Sequence, residues 1–305
     1  MILRPRLHWL RMLFVWRGSV LRRILPQLLF TTALAALAAF TRGRLVGHKL
    51  NLTATPFTLM GVALAVFLGF RNSASYDRYW EARKLWGALI IDGRSYVRQV
   101  MTLTRGTPDE KRRLVRLGVA FVHALRHQLR GTDPSSDLAR LLNVEDHARI
   151  QAAQYPSAMA LLMMGEGLTV ARESGALEPV LVPAFEQTLS GFSQILGGCE
   201  RIAGTPIPFT YSVILHRTVY CYCMLLPFGL VDAIGLMTPL MVAFISYTFF
   251  ALEALSDEIE EPFGTMPNDL ALEAMAFNIE ATMRESAGDG PWPELPKMDA
   301  DFILR

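Results

Sequence analysis

The chain has 305 residues, 51% of them hydrophobic and 19% charged, with a net charge of +2. A soluble domain runs at about 45–50% apolar and about 25% charged, so part of this chain, but not all of it, belongs in lipid. The near-neutral balance excludes a nucleic-acid partner held by charge, and three cysteines are too few for a disulfide framework.

The net charge hides an asymmetry. Residues 1–23 carry six Arg and no acid, whereas residues 253–305 carry thirteen acids against three bases. In the basic segment Trp9, Phe14 and Trp16 stand among Arg4, Arg6, Arg11, Arg17, Arg22 and Arg23. Aromatic residues beside Arg suit a membrane–water interface. An amphipathic helix packed on protein shows the same pattern, and both readings stay open. An apolar run starts at Ile24 with no small-residue cleavage site behind it, which reads as an uncleaved first span rather than a signal peptide.

Four apolar stretches are the predicted crossings: 24–40, 56–70, 211–231 and 233–252. A lone span needs ~20 apolar residues. The second stretch is shorter than that, and the third opens with His216 and Arg217. Both are therefore predicted to be shielded by other helices, as in an oligomer. Residues 61–81 are the most telling. They are apolar nearly all round up to Phe70, then polar from Arg71, with no Pro between. A helix of that kind begins in hydrocarbon and continues into water. A soluble all-helical core is the alternative to this whole set of assignments.

Basic residues cluster in 1–23 and in 71–84, and the turn near Asp232 has none. The positive-inside rule then places both termini and residues 71–205 in the cytoplasm. The linker 41–55, with Arg42, Arg44 and Lys49, fits that rule least. Residues 71–205 read as helical throughout. The second span is expected to run on to about Met101 and to end at Gly106-Thr107-Pro108-Asp109. Helices are expected at 111–130, 135–142, 144–154, 156–173 and 178–196, with Gly197-Gly198 as a break and a loose Pro-rich tail at 290–296.

Three motifs in this order resemble the bestrophin family, in its bacterial branch. They are Gly69-Phe70-Arg71-Asn72-Ser73-Ala74-Ser75-Tyr76, then Gly197-Gly198-Cys199-Glu200-Arg201 with Thr205-Pro206-Ile207-Pro208-Phe209, and then Glu261-Pro262-Phe263-Gly264 with Asn268-Asp269-Leu270. The resemblance runs from about Ile2 to about Ile279. It implies an all-α integral membrane protein with four transmembrane helices and a cytoplasmic helical domain, assembled as a cyclic homopentamer around a central pore. The implied divisions are a basic segment 1–23, the first two spans in 24–70, a cytoplasmic domain 71–208, the last two spans in 209–252 and an acidic segment 253–305. The implied setting is the bacterial inner membrane. The implied partners are lipids, further copies of the chain and permeant monovalent ions, with no cofactor.

The same resemblance makes Val62, Val66 and Phe70 the pore neck and Val180 a second constriction at the cytoplasmic exit. The neck also has a basis in spacing. Val62, Val66 and Phe70 lie at i, i+4 and i+8 on one helix face, and stacked apolar rings gate by dewetting. Without the resemblance such a stripe reads as a packing face. Gly61 and Gly69 would allow close helix approach. An apolar neck does not select by charge, so the sign of the ion is set elsewhere, and likeness to the bacterial branch tilts the expectation towards monovalent cations.

The family's animal members are calcium-activated through an acidic run after Pro-Phe-Gly. Here Thr265-Met266-Pro267-Asn268-Asp269 follows, which offers too few oxygen ligands for calcium, so no dedicated calcium switch is expected. Asp257, Glu258, Glu260 and Glu261 are expected to be solvated or to pair with the basic N-terminal segment. His123 and His127 share a face at i, i+4 but lack a third ligand, and read as surface residues. His216 and Arg217 read as snorkelling to headgroups. Cys199, Cys221 and Cys223 read as small buried hydrophobes rather than metal ligands. No G-x-S-x-G, P-loop or dinucleotide fingerprint is present, so an enzyme is not expected. A secondary transporter of a small anion or amino acid is the competing class, and the lack of an internal repeat counts against it. A membrane scaffold or sensor without conduction is a third.

Overall fold

The computed structural model describes residues 1–4, 8–16, 18–45, 48–49, 52–291, 294–299 and 302–304. The described residues are almost entirely helical. In chain order the helices are α1 (Trp9–Met12), α2 (Leu21–Phe40), α3 (Ala54–Leu103), α4 (Pro108–Arg130), α5 (Ser135–Leu141), α6 (Val144–Gln151), α7 (Pro156–Glu173), α8 (Val182–Gly204), α9 (Phe209–Ile234), α10 (Thr238–Glu260) and α11 (Leu272–Ser286). Between α2 and α3 lies a two-residue antiparallel pair, β1 (Arg44–Leu45) with β2 (His48–Lys49). The rest of the 41–55 linker lies partly outside the described residues, as does part of the tail at 290–296.

The chain forms two compact units. One comprises Arg4–Tyr79 and Pro206–Glu261, and contains α1, α2, the first part of α3, α9 and α10. Among the described residues three stretches are long and apolar enough to cross a membrane: Leu21–Phe40, Ala54–Leu103 and Phe209–Glu260. The last holds both α9 and α10, separated by a 3-10 turn at Gly235–Met237. Gly235 adopts φ +53, which a side chain would strain, and Pro239 opens the first turn of α10, where its missing N–H costs nothing. The core of this unit is formed by Ile24, Ala35, Leu64, Leu68, Val219, Leu226, Val242 and Phe250 with their neighbours. Gly61 lets α3 approach α9: a Cβ there would meet the Tyr222 hydroxyl at 2.8 Å. Gly69, expected to do the same, has nothing within 4 Å of its Cβ position.

The other unit comprises Met1–Leu3, Trp80–Thr205 and Pro262–Arg305. α4 is its central helix, packing against α5, α7, α8 and α11. The local sequence defines α4 sharply. Thr107 and Glu110 form a reciprocal capping box, Pro108 occupies the first turn, and Gly131 closes the helix at φ 61 in the left-handed region. Phe121, Phe192 and Tyr96 pack edge to face in its core. α8 runs straight through Gly197-Gly198, which therefore make no break. Gly198 is instead a place where α8 packs closely on α3, with Leu85 methyls 2.9 Å from its Cβ position.

Two features of this unit depart from expectation. Residues 272–286, taken with the acidic tail, form α11. And His123 is fully buried rather than on the surface. Its Nε2 lies 2.8 Å from Glu280 of α11, and its Nδ1 lies 3.5 Å from Asp137 of α5. Glu280 also accepts from Arg140 and, at 3.0 Å, from Arg284. Asp137 accepts from Arg126 at 2.5 Å, and His127 Nε2 lies 3.0 Å away. Asp289 forms a two-pronged pair with Arg116 at 2.6 and 2.7 Å. A buried histidine can be placed among carboxylates because those carboxylates are neutralised by arginines from three helices. Burial pushes the Glu280 carboxyl up, but bonds from Arg140 and His123 outweigh it and hold it at about 2. Burial also opposes ionisation of Asp137, yet the neighbouring imidazoles of His123 and His127, with Arg126, hold it far below the carboxylate range.

Candidate functional site

The first part of α3 has two unlike faces. Leu64, Leu68, Arg71 and Ser75 are buried. Two residues along an α-helix is a turn of about 200°, so Val62, Val66 and Phe70 project on the opposite side. There they are 63%, 49% and 65% exposed. Because i, i+4 and i+8 advance by only about 40° per step, the three make one apolar stripe. Core packing in this chain is done by Leu64 and Leu68, not by the stripe. Asp77, seven residues past Phe70 and hence in the same angular sector, is also exposed. Val180 lies in a short 3-10 turn, Pro179–Leu181, and is 77% exposed.

Immediately past the stripe the buried face turns polar. Arg71 is 4% exposed, and its Nη2 donates to Asp257 at 2.5 Å and to Glu260 at 3.4 Å. Arg23 of α2 donates to the other oxygen of Asp257 at 3.0 Å. Asn72 donates to the Leu252 carbonyl at 3.2 Å, and Arg78 Nε to the Glu260 carbonyl at 3.1 Å. His216 Nδ1 sits 2.6 Å from the buried Glu253. The histidine is thus tied to α10. Asp257, Glu260 and Glu253 are engaged by side chains from α2, α3 and α9. Pairing with the basic N-terminal segment was foreseen and is met by Arg23; the roles of Arg71 and His216 were not. One sequence signal was available. Leu64, Leu68, Arg71 and Ser75 continue a single 4-3-4 spacing, so Arg71 had to be buried, and a buried Arg needs an acid.

The loop after α10 is closed by Leu270 N–H donating to the Pro262 carbonyl at 3.0 Å, and is held by Arg130, which donates to the Phe263 and Leu270 carbonyls. The Asp269 carboxylate is buried and accepts from Met266 N–H at 2.6 Å. Among the described residues no three His, Cys, Asp or Glu side chains gather as a metal would require. Cys199 and Cys223 are buried and Cys221 is exposed.

The profile of the bacterial and fungal bestrophin proteins matches residues 1–285 of this sequence. The chain belongs to the bestrophin family. Among curated relatives, a voltage-dependent anion channel-forming protein of Ralstonia nicotianae is 49% identical over 95% of both chains. One of the same description from Escherichia coli is 45% identical over the full length of both. A solved bacterial bestrophin homologue from Klebsiella pneumoniae superposes with a TM-score of 0.84 at 44% identity, covering 88% of this chain and all of that one. As a bestrophin, the chain is an all-helical membrane protein, in agreement with its apolar helices. The bestrophin motifs also acquire physical meaning. Arg71 and Asn72 grip α10, Gly198 admits Leu85, and Asp269 ties its own loop.

Proposed function

We propose that the protein is a pentameric ion channel of the bacterial inner membrane, with four spanning helices (α2, the first part of α3, α9 and α10), both termini cytoplasmic, and a neck formed by Val62, Val66 and Phe70. The observation that carries the reading is the exposed apolar stripe, opposite a face that is fully packed. Five copies around an axis would turn it into three stacked apolar rings, a bore that excludes water until it widens. Val180 is assigned to a second constriction, and its exposure suits a residue facing a cavity. The channel-forming description of the relatives supports the class. A transporter would need a site enclosed by broken helices, and α3 is continuous across the stripe.

The assembly is tested directly by native mass spectrometry of the detergent-solubilised protein. The expected dominant species is a pentamer. A monomer or dimer would rule out a shared pore. Planar-bilayer reconstitution separates the classes, since a channel gives discrete unitary steps and a transporter or scaffold does not.

For the permeant ion we keep monovalent cations, and Asp77 supports that choice. Asp77 is the first ionisable side chain on the stripe's sector beyond Phe70. Five carboxylates just below an uncharged neck would enrich cations there. Glu81, four positions on, is paired with Arg201 at 2.5 Å, and the next base of the sector, Lys84, lies seven positions past Asp77, a rise of about 10 Å, which is at or beyond the screening length of about 8 Å at physiological salt. Recordings in asymmetric salt are expected to reverse on the cation side, and Asp77→Asn is expected to move the reversal potential towards zero. A wild-type reversal on the anion side, as the relatives' description would have it, would overturn this choice and leave the neck intact.

A further inference from the structure

We propose that Arg71, with Asn72 and Arg78, is a clamp that sets the rotation of α3 at the neck, and through it the closed–open balance, by gripping the acidic C-terminal turns of α10. The proposal rests on Val62, Val66 and Phe70 being the neck. Its geometry lies within one compact unit. Arg71 follows Phe70 and is turned about 100° from it, so the residue that would close the bore and the residue that is clamped are adjacent but face different ways. Arg71 holds Asp257 at 2.5 Å and Glu260 at 3.4 Å, Asn72 holds the Leu252 carbonyl at 3.2 Å, and Arg78 holds the Glu260 carbonyl at 3.1 Å. Asn72 also donates to the Leu68 carbonyl of its own helix at 2.9 Å. Arg23 of α2 takes the second oxygen of Asp257 at 3.0 Å, so that carboxylate is fixed from two helices at once.

Above Arg71 the contact between α3 and its neighbours is mainly apolar, through Leu64 and Leu68, with one exposed polar contact, the Tyr211 hydroxyl of α9 donating to the Phe67 carbonyl at 3.2 Å. Apolar helix contacts in a membrane have no strong directional term and tolerate small rotations. Charge-assisted hydrogen bonds do not. A rotation of about 30° moves a group ~6 Å from the helix axis by about 3 Å, which breaks every contact of the clamp. At that burial, a released guanidinium or carboxylate is left without its counter-charge. The clamped state and the neck with Phe70 in its present direction are therefore one state. Weakening the clamp frees α3 to turn the apolar ring away from the axis.

The test is single-channel recording of the full-length protein in planar bilayers. Arg71→Gln is expected to raise open probability at least about fivefold, within the range of intramolecular coupling. Unitary conductance and reversal potential are expected to stay at wild-type values, because a residue that positions the neck does not line it. Asp257→Asn is expected to act in the same direction but less, since Glu260 remains. Arg71→Lys, which keeps the charge, is expected to return open probability most of the way to wild type. If Arg71→Gln fails to assemble, Asp257→Asn and Arg71→Lys carry the test. Wild-type open probability in Asp257→Asn and in whichever Arg71 variants assemble overturns the clamp, as does a changed conductance or reversal potential. Phe70→Ala, recorded in parallel, separates the two readings. A response to Phe70→Ala with none to the clamp variants overturns the clamp alone. No response to either overturns the neck and the clamp with it. A response to the clamp variants without one to Phe70→Ala places the controlled gate elsewhere, and also overturns the proposal.

Discussion

Phe70→Ala is expected to raise the open probability of the reconstituted channel by about tenfold or more, and Val66→Ala by less. The argument runs from ring size to water. A narrow apolar bore expels water, and an ion cannot cross it unhydrated. Replacing Phe by Ala removes the largest side chain of the stripe, which is 65% exposed and not held by its own core. The change is therefore made without opening a cavity in the fold, and the effect appears in gating rather than in assembly. The fivefold assembly proposed above would multiply it. A shift of only ~0.3 kcal/mol per subunit sums to about 1.4 kcal/mol over five, which is tenfold in an equilibrium. Val66→Ala deletes a smaller volume and should give a smaller rise. Val180→Ala is expected to alter relative permeability more than opening. Unchanged gating in both Phe70→Ala and Val66→Ala would remove the stripe from the conduction path.

The long helix and its change of character were legible because they are written in a single run of residues. Residues 61–81 switch from apolar to polar without a helix breaker, and α3 does run from Ala54 to Leu103. The start of α4 was legible for a similar reason, since Thr107, Pro108 and Glu110 act within one turn. What was missed depends on residues far apart in sequence. Gly197-Gly198 looks like a break when read locally, whereas the glycine at 198 answers to Leu85, more than a hundred positions away. His123 looks exposed when read beside Arg126 and Arg130, but its partner Glu280 lies on a helix that the acidic composition of the tail had concealed. The apolar stripe of α11 was there to be read, with Leu272, Ala276, Ile279 and Met283 at spacings of four, three and four, all of them buried. His216 was read by its depth in the sequence, and Glu253 of α10 decided its role. The stripe of Val62, Val66 and Phe70 stands between these cases. Its spacing is local, but whether such a face is core or surface is a tertiary matter, and the structure answers that it is exposed.

Glu280→Gln is expected to destabilise the unit built on α4 by about 3 kcal/mol, and to release α11 first. Glu280 is fully buried and receives Arg140, Arg284 and His123. An amide at that position cannot neutralise them, and breaking a buried ion pair from one side costs about 3–5 kcal/mol. The pH dependence gives an independent figure. The Glu280 carboxyl is held at about 2 against an ordinary value of 4.5. A group whose pKa is lowered by folding contributes its full stability above the unfolded value and loses it as pH falls towards the folded one. A lowering of that size corresponds to about 3 kcal/mol at 1.36 kcal/mol per unit, consistent with the mutational figure. Asp289, lowered chiefly by its pair with Arg116, and Asp137 act in the same direction. Amide exchange in Leu272–Ser286 should therefore stay protected from neutral pH down to about 5, then lose protection between about pH 4.5 and 2 as these carboxylates take up protons. In Glu280→Gln that protection should already be weakened at neutral pH, with a lower melting temperature in detergent. Glu285→Gln is the control, because Glu285 lies on the exposed side of the same helix, where a substitution is worth no more than about 0.5 kcal/mol. Equal melting temperatures and equal α11 exchange in Glu280→Gln, Glu285→Gln and the unaltered protein would show that the buried carboxylate does not hold α11 to α4.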